Sequence, residues 1–263
     1  MHPVMFQFGE TAIHGYGVMG ATGFLLACGV ILTRARRDGL SRERIADVIF
    51  WTSLAALLGA RLLFLVQNPG NAGSLADVVN LRKGGLVFYG AFFGGIPTAS
   101  LLMLKYKLPF FKTWDIFATG MPLAHAISRI GCLLAGCCYG VPTDLPWGVT
   151  YSDPLSSGPH DVARHPTQIY ESLALFGIAA ICNFYFSRRR ADGQVMLLYL
   201  VLYAIARSLV EHFRGDADRG FLLGGLLSFS QGVSIGLAIV AIVLFALVPR
   251  WLKATPPSPP TAA

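Results

Sequence analysis

Arg129 sits inside an apolar run that starts near Phe117, in the stretch Ala126-Ile-Ser-Arg-Ile-Gly-Cys-Leu-Leu-Ala-Gly-Cys-Cys-Tyr-Gly140. A charged side chain at such depth in hydrocarbon costs roughly 2.5–3.5 kcal/mol on insertion scales unless it is paired or hydrated, so it marks a site. Arg207, Glu211 and Arg214 are spaced four and three apart, which predicts one helical face with the acid between two bases. The plain alternative for Glu211 and Arg214 is an ion-paired anchor at a membrane boundary. A guanidinium is a planar fork that matches phosphate, so Arg129, Arg207 and Arg61 are expected to converge on an anion, and in an apolar cavity that anion is a phospholipid head group. In His165-Pro-Thr-Gln-Ile-Tyr-Glu171, Pro166 suits a first helical turn, with His165 at the cap and Gln168 and Tyr170 turned to the boundary.

The elements that must hold these groups are membrane spans. Of the 263 residues 54% are hydrophobic and only 13% charged, too apolar a balance for an ordinary soluble domain of this size. Apolar runs cover roughly 16–33, 47–67, 85–104, 114–135, 169–186, 194–211 and 222–248, which predicts an all-α integral membrane protein of seven transmembrane helices. The third run is the least regular, with Gly85, Gly90, Gly94, Gly95 and Pro97, but glycine is common where membrane helices pack closely. No basic stretch followed by a cleavage site precedes the first run, so it is expected to remain as a span. Residues 1–253 form the expected single domain, and 254–263, rich in proline, a disordered tail.

The formal charge of +7 falls in short clusters between the runs, which speaks for topology rather than for nucleic acid. Arg34, Arg36, Arg37, Arg42, Arg44, then Lys105, Lys107, Lys112, then Arg188, Arg189, Arg190, and finally Arg250 and Lys253 belong in the cytoplasm by the positive-inside rule. Arg82 and Lys83 are a local exception. Seven spans then place the N-terminus outside and the C-terminus in the cytoplasm. On that topology Tyr16, Arg61, Tyr89, Arg129, Gln168, Tyr170, Glu171, Arg207, Glu211, Ser230 and Gln231 all fall toward the outer leaflet. A one-sided polar layer predicts a cavity open to that leaflet.

These residues also carry a resemblance. His14-Gly-Tyr-Gly17, Gly59-Ala-Arg-Leu62, Gly84-Gly-Leu-Val-Phe-Tyr-Gly90, Ser128-Arg-Ile-Gly131 through Gly140, His165-Pro-Thr-Gln-Ile-Tyr170 and Arg207-Ser-Leu-Val-Glu-His-Phe-Arg214 with Ser230-Gln231 follow one another as in the prolipoprotein diacylglyceryl transferases. The chain resembles that family over nearly its whole length. The resemblance implies a multi-pass enzyme of the bacterial inner membrane with its site toward the periplasmic leaflet. It implies transfer of the diacylglyceryl group of phosphatidylglycerol to the lipobox cysteine of a preprolipoprotein, forming a thioether and releasing glycerol phosphate. The implied catalytic residues are Arg129, Arg207, Tyr89 and Tyr16, and the implied substrate-binding residues are Arg61, Gly131, Gly140, His165, Gln168, Tyr170, Glu211, Arg214 and Gln231. No metal and no cofactor are called for.

Two departures stand out. Tyr89 occupies a position where the family often has a histidine, and a phenol of pKa about 10 is a poor base at neutral pH, which leaves the base role open. Where the family usually reads Gly-Asn-Phe-Ile-Asn-Gly-Glu, this chain has Cys132, Ala135 and Cys137 in place of the two amides and the acid. Cys132, Cys137 and Cys138 then read as packing residues, a disulfide tying Cys132 to Cys137 or Cys138, a metal site, or a catalytic thiol. The substitutions motivate an alternative function, a paralogue that moves a glycerolipid group to a different acceptor. A lipid transporter is the non-enzymatic alternative, although no internal repeat with paired broken helices is visible.

Overall fold

The structure is a computed structural model that describes residues 3–9, 11–71, 85–160, 162–215, 221–222 and 227–247. Gly84, the basic pair Arg82 and Lys83, Arg250, Lys253 and the expected tail at 254–263 lie outside the described residues, as does the side chain of Ser230. A hairpin of β1 (Val4–Phe8) and β2 (Thr11–His14) leads into α1 (Gly15–Arg37), α2 (Arg42–Gln67), α3 (Phe88–Lys105), α4 (Phe110–Ala135), α5 (Thr167–Phe186) and α6 (Gln194–Glu211). A short pair, β3 (Phe221–Leu222) and β4 (Leu227–Ser228), precedes α7 (Phe229–Leu247).

Among the described residues α1, α2, α4, α5 and α6 are long and apolar enough to cross a membrane, which makes this a multi-pass helical membrane protein. The solvent pattern of a soluble protein is inverted. Leu25, Phe93, Leu101, Phe184 and Leu209 are each more than 60% exposed, whereas Arg61, Gln168 and Glu171 are each 1% exposed. Large aliphatic and aromatic groups face outward, as lipid contact requires, and the polar groups face inward. Gly9, in the left-handed region at φ +59°, turns the N-terminal segment into a hairpin. Gly15 N then donates to Pro3 O at 2.8 Å and ties that hairpin to the start of α1.

The chain divides into two units, the smaller being Leu32–Thr113 and the larger running to Ile31 and resuming at Trp114. Within the smaller unit α2 and α3 lie backbone against backbone. A Cβ on Gly59 would strike Gly90 O, one on Gly90 would strike Gly59 O, and one on Gly94 would strike Ala55 O. The small residues at Ala55 and Gly59, four apart, mesh with Gly90 and Gly94, also four apart, which is how helices approach closely in lipid. The glycines that made the third run irregular are therefore its packing face.

In the larger unit α6 is started by a residue of α4. Asp115, fully buried, accepts from Gly193 N at 2.8 Å through Oδ2 and from Val195 N and Met196 N, each at 2.9 Å, through Oδ1. First-turn amides of a helix have no intrahelical acceptor, and here the carboxylate supplies one and complements the helix dipole. Arg189 Nε lies 3.5 Å from Asp115 Oδ2 and balances its charge.

Candidate active site

The site grows from the way α4 ends. Gly136 takes φ +77°, a left-handed conformation that stops the helix, and Cys137 N returns to Cys132 O at 3.1 Å. Cys138 follows in the same left-handed region at φ +61°. The first turn of α5 fixes this bend, since Thr167 Oγ1 donates to Cys138 O at 2.6 Å and Gln168 Nε2 to Cys137 O at 2.7 Å. Gln168 Nε2 also reaches Tyr151 Oη at 2.9 Å, and its Oε1 is a buried acceptor without a hydrogen-bond partner among the described residues. Such an acceptor is an opening for a ligand.

Arg129 is paired. Its Nε lies 3.0 Å from Glu171 Oε2 on α5, and Glu171 Oε1 lies 3.7 Å from His125 Nε2, one turn below Arg129 on α4. On α6, Arg207 pairs with Glu211 one turn above it. Both guanidiniums act electrostatically on the His125 ring and on the Tyr203 phenol, so the two arginines share one polar layer. The His125 and Tyr203 rings are 5.3 Å apart between them. Arg129 Nη1 points away from the carboxylate toward sulfur, 3.5 Å from Cys138 Sγ and 3.9 Å from Cys132 Sγ.

The other expected residues fall around this layer in different ways. Tyr16, in the first turn of α1, is half exposed and within the field of Arg129. Gly131 is where α1 crosses α4, because a Cβ there would come within 3.1 Å of Tyr16 Cα. Gly140 is a junction of three strands of chain: its N donates to His165 O at 3.0 Å, and a Cβ on it would meet His165 and Phe213 O. His165 Nδ1 and Tyr170 Oη lie 3.0 Å apart, and Trp147 Nε1 donates to the same phenol at 2.8 Å. This cluster heads an apolar groove of about 600 Å³ that continues between α5 and α6 past Ile178, Leu202 and Ala206.

Three expectations need correction or qualification. Arg214 does not share a helical face with Arg207 and Glu211, because α6 ends at Glu211 and Arg214 instead pairs with Gly140 in an isolated β-bridge. Gln168 does not face the boundary beside Tyr170; two residues apart on a helix, they point to different sides, and Gln168 is buried. Gln231 serves α7 itself: Ser228 N donates to Gln231 Oε1 at 3.0 Å and Gln231 N to Ser228 Oγ at 3.2 Å, a capping box.

Arg61 and Tyr89 belong to the smaller unit. Arg61 is buried there, with Nη1 donating to Gly85 O at 3.2 Å and the guanidinium 5.3 Å from the Phe64 ring. Tyr89 is 37% exposed in the first turn of α3, edge-on to Phe88. Sequence reasoning missed Glu171 as the partner of Arg129, although an acid opening the span five residues after His165-Pro was the available signal. It also missed His125 and Tyr203, which carry no charge pattern to betray them.

All five cysteines are free. The expected alternative of a disulfide from Cys132 to Cys137 or Cys138 is therefore not formed in this structure. Outside the spans, hydrogen bonds from the Cys132 and Cys137 thiols, and then the charges of Arg214 and Arg129, hold the Cys138 thiol well below its ordinary range. Cys137, hydrogen-bonded to Cys132 and Cys138, is pushed up correspondingly.

Comparison with known proteins matches this chain to one family. A family model described as prolipoprotein diacylglyceryl transferase matches residues 3–247. The phosphatidylglycerol–prolipoprotein diacylglyceryl transferase of Clostridium tetani is 34% identical over 245 residues, covering 93% of this chain and 97% of that protein. That of Finegoldia magna is 32% identical over 246 residues, covering 93% and 94%. A third, from Legionella pneumophila strain Corby, is 31% identical over 271 residues, covering 96% and 97%.

Proposed function

Because the chain belongs to the prolipoprotein diacylglyceryl transferase family, and so is a transferase that carries the diacylglyceryl group of phosphatidylglycerol to prolipoprotein, we propose that the layer around Arg129 and Arg207 carries that transfer. The observation that supports this reading is that the buried Arg207 and the half-buried Arg129 act on one histidine and one tyrosine beside an apolar groove.

In this reading the lipobox cysteine thiol attacks the glycerol carbon that bears the phosphate. The new carbon–sulfur bond forms as the carbon–oxygen bond breaks, the electron pair leaves on glycerol phosphate, and the thiol proton passes to a base. A free thiol has a pKa of about 8.5, so a positive field that favours the thiolate assists attack. Negative charge grows on the departing phosphate, and arginines already oriented by Glu171 and Glu211 stabilise it more than they stabilise the bound lipid. Glu171 orients Arg129 from its Nε side. Tyr16, Gln168 and Tyr170 position the substrates, Gln168 through its open Oε1. His125, 3.7 Å from Glu171, is the imidazole of this layer and takes the base role that Tyr89 cannot.

The chain crosses the bacterial inner membrane seven times in this reading, with α3 and α7 as further spans, the N-terminus outside and the site in the periplasmic leaflet. The basic residues that close α1 and α3, follow α5 and open α2 support that orientation. The groove between α5 and α6 suits an acyl chain entering sideways from the bilayer.

Incubating the purified chain with labelled phosphatidylglycerol and a lipobox peptide tests the reading. A thioether-linked diacylglyceryl peptide is expected, absent with Arg129→Ala and with Arg207→Ala. Activity of either variant within a few-fold of the parent would remove the phosphate role.

A further inference from the structure

The three thiols that replace polar residues of the family pattern do not scatter. The Sγ atoms of Cys132, Cys137 and Cys138 all lie within 4.8 Å of one another, and no imidazole or carboxylate joins them at that spacing among the described residues. Metal–thiolate bonds of about 2.3 Å put sulfurs in one coordination sphere roughly 3.8–4.0 Å apart, so small side-chain rotations bring this trio onto a single ion. Its backbone is already set. Gly136 turns the chain, Cys137 N is held by Cys132 O, Cys138 sits at φ +61°, and the carbonyls of Cys137 and Cys138 are held by Gln168 and Thr167. Cys132 is buried while Cys137 and Cys138 are half-buried, which gives an entry path from one side.

Charge favours thiolates here. Arg129 Nη1 stands 3.5 Å from Cys138 Sγ and 3.9 Å from Cys132 Sγ, and the field of Arg214 also reaches Cys138. Three thiolates around a divalent ion carry one net negative charge, which these cations offset. Packing residues alone would not direct a guanidinium at two sulfurs. A disulfide would join only two of the three and would need an oxidant.

We propose that Cys132, Cys137 and Cys138 form a three-sulfur site for a thiophilic d10 metal ion, seated against Arg129. All-thiolate ligands select such soft ions over calcium, magnesium or manganese. Binding of a divalent ion forms three metal–sulfur bonds, and the thiol protons pass to solvent. This departs from the family expectation that no metal is present, and it does not rest on the reading of the transfer reaction.

Cadmium is the probe. The full-length chain, reduced, freed of reductant in detergent micelles, is titrated with Cd²⁺. A near-ultraviolet thiolate-to-cadmium charge-transfer band is expected to saturate at one ion per chain, with release of protons. Cys137→Ser and Cys138→Ser should lose it, and Cys28→Ser should keep it. A second measurement needs no variant: stoichiometric Cd²⁺ should protect Cys138, but not Cys28, from alkylation read by peptide mass. Absence of both the band and the protection overturns the proposal. So does a band unchanged by the cysteine variants, or chain isolated without reductant in which two of the three thiols alkylate only after reduction.

Discussion

Arg129 and Glu171 join α4 to α5 through a 3.0 Å ion pair, whereas Arg207 and Glu211 complete theirs within α6. The first pair therefore bears on helix packing as well as on charge, and the second only on charge. Removing one partner of a buried pair strands the other, at a cost of about 3–5 kcal/mol.

Glu171→Ala should lower thermal stability in detergent more than the double variant Glu171→Ala with Arg129→Ala does. A thermal melt of the four members of that cycle checks this. Equal losses in the single and double variants would mean that the pair contributes nothing to packing.

Arg207→Lys should insert and fold normally yet lose at least tenfold in transfer rate with labelled phosphatidylglycerol. Lysine keeps the charge and loses the planar fork that meets phosphate and Glu211 together. Full activity in the lysine variant would reduce Arg207 to a point charge.

Gly59→Val or Gly90→Val should separate α2 from α3, because each new side chain would enter the facing carbonyl. The expected loss is at least 2 kcal/mol, seen as a lower melting temperature and poor accumulation in membranes. Gly29→Val is the control, since nothing lies within 4 Å of a Cβ at that position in α1.

Cys138 should behave as a thiolate far below the usual thiol range when the protein is free of metal. Because its folded pKa is depressed, its contribution to stability is complete above the unfolded value of about 8.5 and falls away as pH drops below that toward the depressed one. Iodoacetamide should accordingly modify Cys138 at a nearly constant rate from about pH 9 to about pH 6, while Cys137 stays unreactive. A Cys138 rate that drops tenfold per pH unit below 8 would assign it an ordinary thiol.

The long apolar helices and the arginines set in them were legible because both are composition effects: lipid demands long apolar runs, and a charge inside one stands out. Each helix that begins or ends near an expected boundary, such as Gln194–Glu211, owes this to that demand. What sequence could not show depends on where the chain turns. Arg214 matches Arg207 and Glu211 in spacing, but α6 stops first and the residue joins Gly140 instead. Glu171 and Arg129 are distant in sequence, so no periodicity links them. Convergence of the three thiols depends on Gly136 and Cys138 both adopting left-handed backbone, a choice that a Cys-Cys dipeptide does not announce.

The carboxylate of Asp115 binding the first amides of α6 has an effect far from where it acts. From that fastening α4 climbs about 21 Å to Arg129 and α6 about 18 Å to Arg207. Two legs hinged at one foot and nearly matched in length bring their tips to a common level, so the elevation of both cations is decided at the opposite end of the bundle. A slip of one residue at the hinge would shift one tip by about 1.5 Å and swing its side chain by about 100°, carrying it out of the plane it shares with the other.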